Sequence, residues 1–368
     1  MAAETCASGV DGEAGELIIA GFPLEEIASH ATFEELAFLL WHNTLPTRGE
    51  LAQLRTRLNA RRTLAPATLE VLAAAAGEQA PVMDALLMAA ATLRLGAGGK
   101  SADNTLAQAE AILARFPTLI AAYWRLLQGR APIPPRADLG HAANYLTMLT
   151  GVEPTAEQVR ALETYLCTIA DHGLNASTFT ARVIISTRSD LLSAVVGAVG
   201  ALKGPLHGGA PGPALEMVFE IGSEERAEPW LRAALARGER LMGFGHRVYK
   251  VRDPRADVLA AAASRFYRAE GDRRIYALAL HVETLALRLL REAKPGRALH
   301  TKVEFYTALL LHGIGLSADL FAPTFALGRV AGWIAHCLEQ QRLDRLIRPQ
   351  SIYTGARNGR WTPIEQRG

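Results

Sequence analysis

The chain has 368 residues, with 39 Lys+Arg against 37 Asp+Glu and a formal charge of +2. Near-neutrality argues against a protein that coats nucleic acid or an anionic membrane, and 49% hydrophobic with 21% charged residues argues against disorder. Three scattered cysteines (Cys6, Cys167 and Cys337) are too few for a disulfide framework or a zinc site. The first residues, MAAETCASGVDGEAG, lack a basic start followed by an apolar run, and no apolar run reaches the roughly 20 residues of a membrane span. A reducing cytoplasm is the expected compartment.

Taken in chain order, residues 15–21 (GELIIAG) predict a short strand, and most of the remaining chain predicts helix. Phe33, Leu36, Ala37, Leu40 and Trp41 line one helical face, and Thr32 with Glu35 spells its capping box. Thr47 with Glu50 and Thr155 with Gln158 repeat that signature. Val159, Leu162, Leu166 and Ile169 form a second stripe, with Gly173 as its stop. Val303, Tyr306, Thr307, Leu310 and Leu311 form a third. PIPP at 132–135 marks a turn, KGPLHGGAPGP at 203–213 cannot be regular helix throughout, and KPGRALH at 294–300 breaks the chain again. The last two breaks bracket about 100 residues, read as a smaller domain inserted into a larger one.

Local motifs leave their chemistry open. GAGGKS at 96–101 ends like a phosphate-binding loop, but Arg94 replaces the required glycine and the preceding stretch reads as helix. The ten histidines do not cluster at metal-ligand spacing, so no metal is expected. In PLHGG (205–209), Gly208 and Gly209 let backbone and ligand approach His207, which by itself also fits an ordinary loop residue. MGFGHRVYKVRDPR (242–255) concentrates His246, Arg247, Lys250, Arg252 and Arg255; it fits a solvated loop or, better, a grip on a small carboxylate. Glu304, three residues after Thr301, fits either a capping box or a carboxylate base at a helix start.

Together these segments resemble the citrate synthase family. The resemblance runs in order through GEAGELIIAGFPLEEIA, HAANYLTMLTG (141–151), HGLNASTFTARV (172–183), GPLHGGA (204–210), MGFGHRVYKVRDPRA (242–256), KVEFYTALLL (302–311), FALGRVAGWIAHCLEQ (325–340) and RPQSIYTG (348–355). It implies an all-α, two-domain fold, with residues 1–207 and 301–368 as the large domain and 208–300 as the small, CoA-binding, closing domain. It also implies an acyltransferase that condenses acetyl-CoA with oxaloacetate and hydrolyses the thioester to citrate and CoA. The coenzyme A thioester is a substrate, and no tightly bound cofactor is expected. By this resemblance the catalytic residues are Glu304 (base), His207 (donor to the thioester oxygen) and His246 (polarising the keto carbonyl). His172, Arg255, Arg329 and Arg348 bind oxaloacetate, and Lys250 lies near the CoA phosphates. Arg348 acts in the neighbouring subunit of a homodimer. No nucleic acid or membrane partner is expected.

Two other readings stand beside this one: a 2-methylcitrate synthase that takes propionyl-CoA, and a non-catalytic paralogue that binds CoA or a dicarboxylate. Two departures bear on them. Glu304 stands where most of the family has aspartate, and Pro211 stands where HGGAN is usual. The extra methylene moves the carboxylate by more than about one ångström on an unchanged backbone, a displacement that can cost on the order of a hundredfold in rate.

Overall fold

The computed structural model describes residues 3–95, 105–207, 211–245, 249, 251–296 and 299–367. The phosphate-loop-like stretch at 96–101, His246 and Lys250 lie outside the described residues. The chain opens with strands β1 (Ser8–Asp11), β2 (Glu16–Ile19) and β3 (Phe22–Pro23), paired antiparallel in that order. Leu17 and Ile19 point into the core while Glu16 and Ile18 point out, the alternation that made β2 legible. Its partner β1 (SGVD) has a single β-branched residue, so its strand character comes from pairing Ser8 with Ile19 and Asp11 with Glu16.

Helices succeed one another without further sheet among the described residues. They are α1 (Leu24–His30), α2 (Phe33–His42), α3 (Arg48–Asn59), α4 (Pro66–Gly77), α5 (Val82–Ala91), α6 (Thr105–Leu127), α7 (His141–Thr150) and α8 (Ala156–Ile169), then α9 (Ala176–Ser186), α10 (Leu191–Leu202), α11 (Pro211–Ile221), α12 (Glu224–Ala236), α13 (Pro254–Ala269), α14 (Arg273–Ala293), α15 (Val303–Gly313) and α16 (Phe321–Leu343). All three predicted capping boxes form, at the starts of α2, α3 and α8. Within the predicted 203–213 break, residues 203–207 form a turn and α11 begins at Pro211, a position where a missing N–H loses no helical bond. The chain is all-α apart from the small sheet. No helix among the described residues is long and apolar enough to cross a membrane.

The centre of the molecule is α16, buried on nearly every side by α2, α6, α8, α9 and α10. A helix covered all round carries apolar residues all round, which is why no single stripe marks it in the sequence. Two glycines bring it against the end of α8. A methyl on Gly332 would lie 2.2 Å from the Ala170 carbonyl oxygen and 2.7 Å from Asp171 Oδ1, and one on Gly328 would lie 2.2 Å from Ile169 Cδ1. Gly332→Ala gains helix propensity worth about 1 kcal/mol but forces backbone apart, which costs about 1–3 kcal/mol. We expect a lower melting temperature for this variant; an unchanged or higher one would show that the contact relaxes freely.

On the other side, α13 packs on α1, α8 and α15, while α12 lies on α14 and α11 touches both of these and α15. The candidate site lies where α8, α9, α13, α15 and α16 meet.

Candidate active site

His207 follows α10 in a tight turn, its amide bonded to the Gly204 carbonyl at 2.9 Å. Ser177, second residue of α9, directs its backbone N–H at His207 Nε2 (3.3 Å) and places its Oγ 2.7 Å from the same atom. Trp333 of α16 donates its indole N–H to Ser177 Oγ at 3.0 Å, and Asn175 Oδ1 lies 2.8 Å from that hydroxyl. With a backbone amide aimed at it, Nε2 is the acceptor and the ring proton sits on Nδ1. Burial, with the Arg329 charge second, pushes the His207 pKa down to about 4. A helix N-terminus also disfavours an imidazolium. His207 is therefore a neutral N–H donor at pH 7 and stays so as the pH falls to 5. In histidine NMR spectra, the signal lost in His207→Gln should titrate near pH 4; titration near 6.5 would contradict this environment.

Arg329 lies on α16, 1% exposed. Its Nε–H goes to the Ile169 carbonyl at 2.5 Å, and its Cζ lies 4.6 Å from the Phe325 ring centre. Among the described residues no carboxylate lies within ion-pair distance of it. Burial is the largest influence; the Asp171 charge opposes it in part and Arg255 adds to it, so that the Arg329 pKa falls to about 10, still charged at neutral pH. A buried guanidinium without a counter-ion is costly unless an anion arrives to meet it.

Arg255, second residue of α13, is also buried and holds Asp253 through Nε (3.0 Å) and Nη2 (2.8 Å). Its Cζ lies 6.0 Å from the Tyr249 ring centre. Tyr249 in turn faces His172, hydroxyl to Nε2 at 3.0 Å. His172 follows Asp171, a buried carboxylate that takes bonds from His336 Nε2 (3.2 Å), the Gly173 amide (3.3 Å) and Ser8 Oγ. Arg182 donates to His336 Nδ1 at 2.9 Å, which assigns the His336 proton to Nε2 and directs it at Asp171. The strand β1 and the long helix α16 thus both fix the turn that carries His172.

Glu304 is the second residue of α15, and its Oε2 is buried with no hydrogen-bond partner. The capping box spelled by Thr301 and Glu304 does not form. Lys302 holds the N-cap position without a side-chain bond, and the Thr301 hydroxyl goes instead to Glu283. The Glu304 charge acts on Arg255, and on Tyr165, a fully buried residue whose hydroxyl has no partner among the described residues. The backbone before residue 246 is laced to the backbone before Glu304. Phe244 pairs antiparallel with Thr301, Gly245 donates to the His300 carbonyl and Lys302 to the Gly243 carbonyl, both at 2.8 Å. Gly243 makes this possible at φ +85°, because a side chain there would meet Phe305 Cβ at 3.0 Å.

The structure thus links the five predicted residues pairwise: the Arg329 charge acts on His207, the Arg255 charge on Arg329 and the Glu304 charge on Arg255, while Tyr249 joins Arg255 to His172. Arg348 is elsewhere in the chain: it is exposed, and its neighbour Ile347 bonds to Ser186 at the far end of α9 from Ser177. Nine residues of helix separate those ends by roughly 14 Å. The segment that carries Arg348 has no regular structure and leaves Ile352 and Trp361 91% and 80% exposed. Sequence reasoning missed Ser177, Trp333, Tyr249 and Tyr165: a serine in the first turn of a helix reads as a cap, Trp333 and Tyr165 in apolar stretches read as core, and Tyr249 was passed over among the cations around it.

The family model described as "Citrate synthase, C-terminal domain" matches residues 1–350. Citrate synthase 2 of Bacillus subtilis is 40% identical over 354 residues, covering 95% of this chain and 93% of that protein. The 2-methylcitrate synthase of Mycobacterium tuberculosis is 38% identical over 357 residues, covering 95% and 88%. Among solved structures, the citrate synthase of Pyrobaculum aerophilum superposes with a TM-score of 0.89 at 37% identity, covering 100% of this chain and 93% of that one. That of Thermoplasma acidophilum, in ternary complex with carboxymethyl coenzyme A and oxaloacetate, gives 0.89 at 28% identity, covering 99% and 97%.

Proposed function

We infer the chemistry from one premise: the chain belongs to the citrate synthase family. It is an enzyme of that family, an acyltransferase that condenses acetyl-CoA with oxaloacetate. The observation that carries the assignment of roles is this linked set of side chains, in which Arg329 has no carboxylate within ion-pair distance among the described residues, His207 offers a neutral N–H and Glu304 has an unpartnered carboxylate oxygen.

In this reading oxaloacetate supplies the missing charge, one carboxylate on Arg329 and Arg255 and its remaining polar groups on His172 and the partner's arginine. Glu304 removes a proton from the thioester methyl. His207 Nδ1–H bonds the thioester oxygen as negative charge develops there, a task that suits a neutral imidazole. The enol carbon attacks the keto carbon, and His246 gives the new alkoxide its hydrogen bond. Water then cleaves the citryl thioester, releasing citrate and CoA. Lys250 meets the CoA phosphates. The coenzyme A thioester is consumed as substrate, with no tightly bound cofactor.

The packing of α11, α12 and α14 on one another supports the reading of a small domain within residues 208–300 that closes on the large one, while α13 in the same range packs on α1, α8 and α15. The exposed position of Arg348 supports its action in the neighbouring subunit of a homodimer. The buried free thiols Cys167 and Cys337 fit a reducing cytoplasm.

Similarity to a 2-methylcitrate synthase keeps propionyl-CoA as the second acyl donor to test. One methylene in an apolar pocket discriminates by only about 1–3 kcal/mol. Turnover with acetyl-CoA and with propionyl-CoA, each with oxaloacetate, ranks the two. Free CoA from neither would overturn the reading.

A further inference from the structure

Glu283 lies on α14, apart from the five side chains linked above, and is 8% exposed. Its carboxylate accepts three hydrogen bonds: Thr301 Oγ1 to Oε1 at 2.5 Å, Arg252 Nη1 to Oε1 at 3.2 Å and Tyr306 Oη to Oε2 at 2.5 Å. Thr301 and Tyr306 stand three residues before and two residues after Glu304. Arg252 belongs to the stretch that also carries Tyr249, bonded to His172, and Arg255. One buried carboxylate from a third element therefore holds both flanks of the Glu304 turn and the segment opposite it.

That anchorage matters because α15 starts without a side-chain cap. Beyond the backbone bonds that tie residues 300–302 to Gly243 and Gly245, no side chain caps its first turn, and the Thr301 hydroxyl that would have capped it is spent on Glu283. Tyr306 is held as a donor, since burial and the Glu283 carboxylate both favour its protonated form. A base whose carbon chain is one methylene longer than the family's usual aspartate depends more on where its backbone is held.

We propose that Glu283 is a positioning residue for the base: by holding Thr301, Tyr306 and Arg252 at once, it sets the first turn of α15, and with it Glu304, against the 249–255 segment. This rests on Glu304 being the base of the proposed reaction. Because Arg252 is the third donor, loss of Glu283 should loosen the Glu304 turn and the 249–255 segment together, whereas loss of Tyr306's hydroxyl should loosen the turn alone.

The test is Glu283→Gln in the full chain. The amide keeps the volume, but its NH2 must face one of three donors. Turnover should fall by about tenfold or more, and because the loosened 249–255 segment carries Arg255 the KM for oxaloacetate should rise as well, whereas Tyr306→Phe alone should lower turnover with the KM changed by less than about twofold. Amide exchange at residues 299–306 should accelerate by about tenfold, while the core helices α8 and α16 exchange as in the wild type. Adding Tyr306→Phe should cost less than the product of the two single effects. Wild-type turnover in Glu283→Gln, unchanged exchange at 299–306, or acceleration spread over the whole chain would each overturn the proposal. If the wild-type chain itself releases no CoA, the proposed chemistry is what fails, and the exchange measurement alone then decides whether Glu283 holds the turn.

Discussion

Glu304→Gln should bind oxaloacetate as the wild type does and turn over slower by about 10²–10⁴-fold, the range that a positioned general base supplies. The amide has the shape of the carboxylate but cannot accept the methyl proton. Because Oε2 has no hydrogen-bond partner among the described residues, the exchange breaks no bond seen at that atom, and the fold should be as stable as before. Glu304→Asp gives the second point. It restores the charge on a side chain shorter by one methylene, on a backbone already set by Glu283, and should recover only part of the rate. CoA release measured with a thiol reagent, beside calorimetric binding of oxaloacetate, separates the two effects. A Glu304→Gln enzyme at the wild-type rate would remove this residue from the chemistry.

Arg329→Met should raise the stability of the unliganded protein and abolish its response to oxaloacetate. Desolvating a guanidinium costs several kcal/mol, and among the described residues no carboxylate within ion-pair distance offsets it, only the more distant Asp171 charge in part. The bond lost, from Nε to the Ile169 carbonyl, is worth about 1–3 kcal/mol. Methionine fills most of the volume and packs well against the Phe325 ring. With substrate bound the sign reverses: removing one partner of a buried ion pair costs about 3–5 kcal/mol, on the order of a hundredfold to a few thousandfold in affinity. Thermal melts with and without oxaloacetate read both halves. A variant that melts lower when empty, yet still gains stability from oxaloacetate, would show that Arg329 is structural.

How much of this was legible in the sequence varies by residue. Thr32, Thr47 and Thr155 announced their helices because a capping box is made within four residues. The Thr301–Glu304 pair has the same spacing and does not cap, because a glutamate 18 residues earlier takes the threonine hydroxyl. β1 was missed because its strand character comes from its neighbour rather than its own residues. His207, His172, Arg255, Arg329 and Glu304 were singled out through the order of motifs along the whole chain, since each alone fits a bland role. What makes them chemically competent was not legible. The His207 tautomer is set by Ser177 and Trp333, 30 and 126 residues away in sequence, and the isolation of Arg329 is a property of the packed interior.

The most direct test of the proposed shared site is a crystal structure of the protein with oxaloacetate and carboxymethyl coenzyme A, whose carboxylate stands in for the enolate of the thioester. The account predicts a carboxylate of oxaloacetate on the terminal nitrogens of Arg329, an oxygen of the carboxymethyl group on His207 Nδ1, and Glu304 facing the carboxymethyl carbon. Oxaloacetate bound away from Arg329, or His207 and Glu304 turned toward different ligands, would contradict it.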